Sequence, residues 1–544
     1  MDATTQPVRS GAFLEAPPEA CFTPEHLTPE DRQMGEATER FMREQVAPQV
    51  RLIEHNAPHA MRDLLGDSAL LGLLGIDVPE EYGGLGLPKT TSALITEKTA
   101  LEPSFAVSHA VHTSVGSLPI LLFGTEAQAQ QYLPRLTRGE LIGAYALTEP
   151  EAGSDALSAR TRAERHDQHY LLNGNKIWIT NAGFADLFIV FAKVDGERFT
   201  AFLVPRSAPG FIVEREEHKL GLHGSSTCRI VLEQVPVPVE NRLGEEGQGA
   251  YVALYTLNIG RFKIGAAALG IAKEAWRIGY EYAQVRKQFG RPIVEFDLVW
   301  RKLARGQVML FVVESALYRL AGDLERAFAQ GYGLPYDARQ GAWRAASALF
   351  AAECALIKVA ATEILHQIVD DALQIHGGYG FSEEYPIARL YRDTRVNRIY
   401  EGTNEINRLN LVERLLYMRR KGLWSPNLTE PQDAESVEGV LTTLRWLAGR
   451  AFQSLESFAE PPQMFVEPLA DALIALYMLD SAHYRAQKTG QVSHQHAVQL
   501  FAEWVRRQLS GWWADLEPLA GAPRFIPTPR NTAPLYEAVW GSMV

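Results

Sequence analysis

The sequence predicts a mostly α-helical protein with a small β domain in its middle. Two observations carry this prediction: long proline-free segments with apolar residues at a helical period, and a central region where apolar residues alternate as in strands. With 544 residues the chain is long enough for several domains. In order, we expect an arm at 1–27, a helical domain at 28–145, a β domain at 146–250, a helical bundle at 251–418 and an appended helical domain at 436–544.

The N-terminal helical domain has a clear start signal. Residues 1–27 are rich in proline and show little periodicity, so we expect a loosely packed arm. Thr28 then suits the N-cap of a helix and Pro29 its first helical position. A helical period continues to about residue 145 and is interrupted by the turn-rich stretch VPEEYGGLGLP at 78–88.

The central β domain is predicted from two hairpin signals. HYLLNGNKIWIT has Asn173-Gly174 at its middle, and LFIVFAKVDGERFTAFLVP has Asp195-Gly196. Both dipeptides favour tight turns and are flanked by residues that favour strands. The prolines of VPVPVENRLG indicate the end of the last strand, so a small antiparallel domain is expected.

Long helices are predicted for the second half of the chain. No proline occurs between Pro238 and Pro292, and the stretches 293–334 and 336–385 are also free of proline. Helices of this length favour packing as a bundle. A further helical block at 436–544 follows the linker GLWSPNLTEPQDAES.

Composition excludes several classes of protein. The net charge of −12 gives no general attraction to nucleic acid or anionic lipid. Three widely spaced cysteines indicate reduced thiols, and the first residues lack the pattern of a signal or transit peptide. The sequence predicts no apolar run long enough to span a bilayer, so we expect a cytoplasmic protein without a transmembrane segment.

Several short motifs are weak when each is taken alone. The chain has neither GxGxxG nor a Walker loop. Gly377-Gly378 is as consistent with the end of a helix as with close approach of backbone to a ligand. His109 and His112 are three residues apart, but without a third ligand no metal site is expected.

The turn Tyr-Glu-Gly-Thr at 400–403 raises the sharpest question. The ordinary explanation is a helix start, in which Gly402 loosens the backbone, Thr403 caps, and Glu405 lies at the positive end of the helix dipole. The alternative is that Glu401 acts as a base in a dry site, where burial raises the pKa of a carboxyl toward the working pH.

Five motifs, taken together and in order, resemble the acyl-CoA dehydrogenase family across roughly residues 30–415. They are YALTEPEAGSD, NGNKIWITNAG, VRKQFGRPI, QIHGGYGF and RIYEGTNEI. The resemblance implies a helical N-terminal domain, a β-barrel middle domain and a four-helix bundle that bind FAD. The block after about residue 420 is similar to the appended helical domain of the very-long-chain acyl-CoA dehydrogenases.

The resemblance also implies site residues, carried over motif by motif. For FAD these are Tyr145, Leu147, Thr148, Gly153, Ser154, Trp178, Ile179, Thr180, Arg286, Gln288, Phe289, Gln374, Ile375, Gly377, Gly378, Gly402, Thr403, Asn404 and Glu405. For the substrate they are Val107, Val111, Ser154, Asn258, Arg261, Glu401 and Gly402. No metal ligand is implied.

The activity implied is the α,β-dehydrogenation of fatty acyl-CoA to trans-2-enoyl-CoA, the first step of fatty acid β-oxidation. Glu401 would remove the α-proton while a hydride passes to the flavin. Some family members carry the base on the helix that here contains TLNIGRFKIG, but the matching position is Gly260, which cannot act as a base. Val107 and Val111 are small and apolar, which favours a long acyl chain.

The resemblance implies an electron-transferring flavoprotein as the acceptor and a homodimer, or a dimer of dimers, as the assembly. Peripheral membrane contact stays open. Two alternatives share the fold: an acyl-CoA oxidase that uses O₂, and an alkylation-response flavoprotein that binds DNA through its appended domain. The second is disfavoured, because residues 421–544 hold nine Lys and Arg against thirteen Asp and Glu, a net charge of −4.

Overall fold

Helices that precede and follow one central sheet in the sequence make up most of the computed structural model, which describes residues 9–55, 59–431, 433, 435–520 and 532–542. The chain divides into two units, neither of which is continuous in sequence. The sheet unit consists of Thr28–Lys263 and Ala327–Ala348, and the bundle unit of Met1–Leu27, Ile264–Arg326 and Leu349–Val544. The mostly helical class with a central sheet is confirmed.

Seven helices open the sheet unit. They are α1 Pro29–Phe41, α2 Val50–Glu54, α3 Ala60–Leu70, α4 Lys89–Thr99, α5 Pro103–Thr113, α6 Leu118–Phe123 and α7 Glu126–Thr137. The predicted start is confirmed, since the Thr28 hydroxyl accepts a hydrogen bond from the Asp31 backbone N–H at 3.1 Å. The segment 78–88 contains only a short 3₁₀ turn at Glu80–Tyr82, as its turn signals predict.

The central sheet has eight strands. They are β1 Gly143–Ala146, β2 Arg162–Arg165, β3 His169–Thr180, β4 Leu187–Val194, β5 Arg198–Pro205, β6 Phe211–Glu216, β7 Thr227–Pro238 and β8 Arg242–Leu243. The order is β6-β7-β3-β2-β4-β5-β8, and β1 pairs with β4 in parallel. Side chains such as Phe41, Phe105 and Phe188 join helices and strands in one apolar core.

One of the two predicted hairpins is wrong. Asn173 and Gly174 lie inside the continuous strand β3, where the register with β7 shifts between Leu172 and Gly174. A Cβ at Gly174 would lie only 2.4 Å from the Thr161 hydroxyl oxygen, so close packing and not a turn requires glycine there. The second hairpin is confirmed, because Asp195 and Gly196 connect β4 to β5 with φ values of +52° and +82°.

The long helices predicted for the second half of the chain are confirmed. They are α8 Gly249–Val285, α9 Asp297–Phe328, α10 Tyr336–Leu349, α11 Ala351–His376, α12 Pro386–Thr394 and α13 Asn404–Arg420. A two-stranded hairpin of β9 Lys287–Gln288 and β10 Arg291–Pro292 lies between α8 and α9. The appended block forms α14 Val437–Leu455, α15 Gln463–Thr489, α16 Val492–Ala520 and α17 Ala533–Gly541.

The expectation of a loosely packed arm is wrong for residues 9–27, the part of the arm that the structure describes. Phe13 is 2% exposed, and its ring meets the Tyr477 ring edge-on at 5.2 Å. The Ser10 hydroxyl donates to the Glu353 carboxylate at 2.7 Å, and the Arg445 Nε donates to the Phe13 carbonyl at 2.9 Å. Because these partners lie more than 300 positions away in the chain, local periodicity could not reveal them.

One segment, Pro103–Phe123, does have the length and apolar composition of a membrane span, contrary to the expectation from the sequence. Of its most apolar window, 83% is buried inside the protein. The segment is also divided, since α5 ends at Thr113 and α6 begins at Leu118. We therefore assign it to the core of the sheet unit.

Candidate active site

The turn that carries Glu401 has an unusual backbone. Glu401 has φ +55° and Gly402 has φ +86°, and the left-handed region is uncommon for a residue other than glycine. Thr403 follows as the N-cap of α13, and its hydroxyl accepts from the Ile406 backbone N–H at 3.3 Å. The helix-start explanation is therefore correct for Thr403, while half-buried Glu401 lies outside the helix in a conformation that the cap does not require.

Side chains from the bundle unit fix this turn. The buried Lys358 ammonium of α11 donates to the Gly402 carbonyl at 2.9 Å and to Asn404 Oδ1 at 2.7 Å. The Asn407 amide donates to the same Gly402 carbonyl at 2.7 Å, and the Asn404 amide donates to Glu363 at 2.9 Å. Lys358 and Asn407 are not among the residues that the motifs predict, although a lysine within the apolar run ALIKVAA is a detectable signal.

The charge of Glu401 acts on its neighbour. Tyr400 donates its hydroxyl to Asn397 Oδ1 at 2.5 Å. Burial, and next the Glu401 carboxylate, raise the pKa of Tyr400 above its usual value. The phenol therefore stays protonated beside the carboxylate. The pKa of Glu405, at the start of α13, is lowered by its own backbone N–H and by Thr403, as expected for an acid in a first helical turn.

Two of the predicted FAD motifs meet in the bundle unit. The Arg286 guanidinium lies over the Tyr379 ring at 5.4 Å, which brings the RKQFG hairpin to the glycine loop after α11. Phe289, at the tip of that hairpin, has φ +51° and is 93% exposed. Gln288 pairs with Arg291 in the β9–β10 ladder and is exposed as well.

The glycine loop leaves its backbone open. Gly377 ends α11 with φ +59°, so a helix stop is part of its role. A Cβ at Gly377 or at Gly378 would meet no atom within 4 Å. Both glycines and Gln374 are exposed, whereas Ile375 is buried. Packing within the chain therefore does not explain the second glycine.

In the sheet unit, Trp178 is displaced outward by an irregular strand. It has φ +61° and lies where the pairing of β3 with β7 shifts between Lys176 and Ile179. Its side chain is 54% exposed, while Ile179 is buried and Thr180 half-buried. A tryptophan that merely filled the core would be buried, so that ordinary explanation does not hold for Trp178.

The loop after β1 is tied to the same strand. The Ile177 backbone N–H donates to the Thr148 carbonyl at 3.0 Å, and the Lys176 ammonium donates to the Leu147 carbonyl at 3.1 Å. Lys176 also forms an ion pair with Glu149 at 2.7 Å, and its burial lowers its pKa to about 8. The loop is thereby fixed next to the exposed Trp178.

The remaining residues predicted in this loop differ in exposure. Tyr145, in β1, is half-buried and meets the Phe191 ring edge-on at 5.1 Å. Gly153 and Ser154 are exposed, and a Cβ at Gly153 would meet no atom within 4 Å. As at Gly378, packing within the chain does not require a glycine at position 153.

The predicted substrate residues of the sheet unit lie on two helices. On α8, buried Arg261 donates to Asn258 Oδ1 at 3.2 Å, and the Asn258 amide donates to the Ser347 carbonyl at 3.2 Å. On α5, Val107 and Val111 form a half-exposed apolar stripe.

The histidines of α5 lie on its buried face and bind backbone. His109 Nε2 donates to the Leu73 carbonyl at 2.9 Å. His112 Nδ1 accepts from the Gly143 backbone N–H at 3.1 Å, which leaves Nε2 to donate to the Leu136 carbonyl. Burial lowers the pKa of His109 to about 3 and that of His112 to about 4. Within the described part of the chain, no three His, Cys, Asp or Glu side chains are grouped to hold a metal ion.

The fold agrees with what the five motifs imply, and family models give the assignment. The N-terminal, middle and C-terminal domain models of acyl-CoA dehydrogenases match residues 28–140, 144–235 and 247–416. The chain therefore belongs to the acyl-CoA dehydrogenase family, whose members are oxidoreductases.

Individual relatives are similar over different lengths. A probable acyl-CoA dehydrogenase of Bacillus subtilis is 42% identical over 506 residues, which cover 88% of this chain and 85% of that protein. The mitochondrial very long-chain specific enzyme of Bos taurus is 37% identical, with coverage of 71% and 59%. The crystal structure of an acyl-CoA dehydrogenase complexed with FAD from Bacillus anthracis aligns with a TM-score of 0.90 at 37% identity and covers 99% of both chains.

Proposed function

We propose that the protein is an FAD-dependent acyl-CoA dehydrogenase that converts fatty acyl-CoA to trans-2-enoyl-CoA, with Glu401 as the α-proton base. One observation carries this proposal: Glu401 lies on a left-handed turn that Lys358 and Asn407 hold in place. A strained conformation persists only where its surroundings enforce it, and such positions cluster at functional sites.

The chemistry follows from the acidity of the substrate. The α-proton of a thioester is weakly acidic, so its removal needs a carboxylate within hydrogen-bond reach in a site that excludes water. In this proposal Glu401 supplies the carboxylate, and its own backbone N–H polarises the thioester carbonyl. Gly402 adds no side chain beside the reacting carbon atoms. When bound, FAD supplies the two-electron acceptor for the β-hydrogen.

The residues present fit FAD. In the bundle unit, the backbone beside Gly377 and Gly378 is open, and the Arg286 guanidinium next to it suits a pyrophosphate. In the sheet unit, exposed Trp178 and the fixed loop at Thr148 offer an aromatic face and polar backbone groups to a planar ring. The Bacillus anthracis relative is itself complexed with FAD.

A long acyl chain is the preferred substrate in this proposal. The half-exposed stripe of Val107 and Val111 offers an apolar wall against which an acyl chain can pack. The similarity to the very long-chain specific enzyme of Bos taurus, together with the helices after residue 436, supports the same choice.

The proposed partners are an electron-transferring flavoprotein and a second copy of the chain. Three large apolar side chains of the bundle unit are far more exposed than is usual: Phe289 at 93%, Phe381 at 88% and Leu298 at 81%. Phe289 and Phe381 are close in sequence to Arg286 and Tyr379, so self-association through them would cover the RKQFG hairpin and the glycine loop, both predicted to bind FAD. We expect light scattering to give the molar mass of a homodimer, or of a dimer of such dimers.

The test uses purified protein and acyl thioesters from butyryl to stearoyl. Acid denaturation should release FAD, and a dye acceptor under argon should be reduced in the presence of thioester. FMN, or no flavin, would contradict the proposal. Turnover that needs air and forms hydrogen peroxide without a dye would instead assign the protein as an oxidase.

A further inference from the structure

A cavity outside the candidate active site lies within the sheet unit. Its volume is about 250 Å³, just below the ~300–1,000 Å³ that is usual for small-molecule sites. Its inner wall is apolar and buried, with Leu118, Leu121 and Leu122 of α6 facing Phe328 and Trp343. The rim is open to solvent, as Tyr332 is 48% exposed. The cavity is therefore an apolar recess that is open to solvent beside Tyr332.

This cavity is separate from the proposed substrate residues of α8. Ile259 lines the cavity, and Lys263, one helical turn later, points toward the same side through its ion pair with Asp77. Arg261 is two positions after Ile259, which places it about 200° further round the helix. The two sites thus lie on opposite faces of α8, and a ligand in the cavity is distinct from an acyl chain that contacts Arg261.

The floor of the cavity carries an excess of positive charge. Lys89 lines the cavity and lies 2.6 Å from Asp77, which Lys263 also contacts at 2.5 Å. Their side chains are at most 7% exposed, so two ammonium groups share one carboxylate away from water. Burial by itself would raise the pKa of Asp77, but the positive charges of Lys263 and Lys89 lower it by more, so the pKa of Asp77 lies below its usual value. Burial lowers the pKa of Lys263 despite the pairing with Asp77.

The other charged groups of the cavity do not offset this excess at the floor. Arg339 lines the wall and forms an ion pair with Glu81, which leaves that pair neutral. Glu80 is exposed at the mouth, where water screens its charge. A buried excess charge is costly, and an anion brought in by a ligand would balance it.

We propose that the cavity binds a medium-length aliphatic carboxylate, with its chain against the α6 leucines and Trp343 and its carboxylate at Lys89. The apolar wall favours an aliphatic chain. The cluster of two lysines and one aspartate favours a ligand with a negatively charged head. Because the site lies on the other face of α8, it binds the free acid while the active site holds a thioester.

Decanoate is the probe, titrated calorimetrically into the flavin-loaded protein whose active site is saturated with a non-oxidisable acyl-CoA thioether. Binding should be saturable and should leave the flavin spectrum unchanged. Decanol, which lacks the charge, and decyltrimethylammonium, which reverses it, should each bind at least tenfold more weakly. Decanoate that binds only when the thioether is absent would overturn the proposal, since it would then occupy the active site.

Variants locate the site. Lys89→Met should weaken decanoate binding at least tenfold, and it leaves Asp77 paired with Lys263, so the buried charges stay balanced. Lys98→Met is the matched control, because Lys98 lies on the same helix α4 but pairs with Glu39 outside the cavity. Leu121→Trp, which fills the cavity, should abolish binding without removing a charge. Unchanged affinity in Leu121→Trp would refute the proposal even if Lys89→Met failed to fold.

Discussion

The Lys358 ammonium donates to the Gly402 carbonyl at 2.9 Å, so a buried helix side chain fixes the residue that follows Glu401. The same ammonium binds Asn404, the first residue of α13. Two of the three residues that follow the proposed base are thereby anchored, directly after its left-handed backbone.

Glu401→Gln should lower the rate of flavin reduction by a long-chain acyl-CoA about 10²–10⁴-fold, because the amide cannot accept the α-proton. Substrate should still bind and perturb the flavin spectrum. Stopped-flow mixing under argon measures both effects. Glu413→Gln is the matched control, since Glu413 lies on the same helix α13, is exposed and belongs to no predicted site. Fast flavin reduction in Glu401→Gln would contradict the role of Glu401 as the base and would favour the helix-start explanation.

Lys358→Met should cost about 1–3 kcal/mol of unfolding free energy, because the Gly402 carbonyl and Asn404 lose a buried donor. The turn should loosen as well, so kcat should fall further than the loss of folded protein explains. Denaturant unfolding and turnover of the folded fraction measure the two parts. Lys421→Met, at the exposed end of α13, should change neither quantity.

Trp178→Phe should slow reoxidation of the reduced flavin by an electron-transferring flavoprotein, because the exposed indole lies at the surface where such a partner would approach. Stability should hardly change, since the side chain is 54% exposed. Rapid mixing with substrate, and then with the partner, separates reduction from reoxidation. If both rates match the wild type, Trp178 has no part in electron transfer.

Val111→Phe should shift the preferred substrate toward shorter acyl chains. In the wild type, kcat/KM should rise up to C12 or longer, with each buried methylene contributing at most roughly 0.8 kcal/mol. A larger side chain on the half-exposed stripe of α5 should end that rise earlier. A wild-type optimum between C4 and C8 would contradict the long-chain proposal.

Stability should fall in acid through Glu314, which forms ion pairs with Lys273 and Arg485. Burial alone would raise the pKa of Glu314, but these two cations prevail and lower it from 4.5 to about 2. The unfolded chain therefore binds more protons between these values, so the unfolding free energy decreases as the pH falls from about 4.5 to 2. Glu314→Gln should reduce that decrease, whereas Glu164→Gln, at an exposed position, should not.

Local signals in the sequence were sufficient for the helices. Thr28 and Asp31 form a cap from adjacent residues, and proline-free periodicity covers α8 and α9. The dipeptide Asn173-Gly174 gave a wrong hairpin prediction, because a sequence that favours a turn also suits a bulge within a strand. Only the close approach of Thr161 to Gly174 distinguishes the two, and the sequence does not show it.

For the candidate site, the motifs predicted residues that would face a ligand, but not those that hold them in place. Lys358 and the Glu149–Lys176 pair act through buried charge and through partners distant in sequence, whereas Asn407 reaches back five residues to Gly402 and no motif marks that contact. The sequence could not predict the cavity of the sheet unit either, since Leu121 and Trp343 are distant in sequence and line it together only in the folded chain.

The burial of residues 9–27 sets an order of events for biogenesis. Ser10 cannot form its hydrogen bond until Glu353, 343 positions later, has been synthesised. The Phe13 carbonyl likewise needs Arg445, 432 positions later. During synthesis, residues 9–27 therefore leave the ribosome long before the residues that bury them have been made. Phe13 and Leu14 stay exposed on the nascent chain until then, which makes this segment a natural recognition site for chaperones.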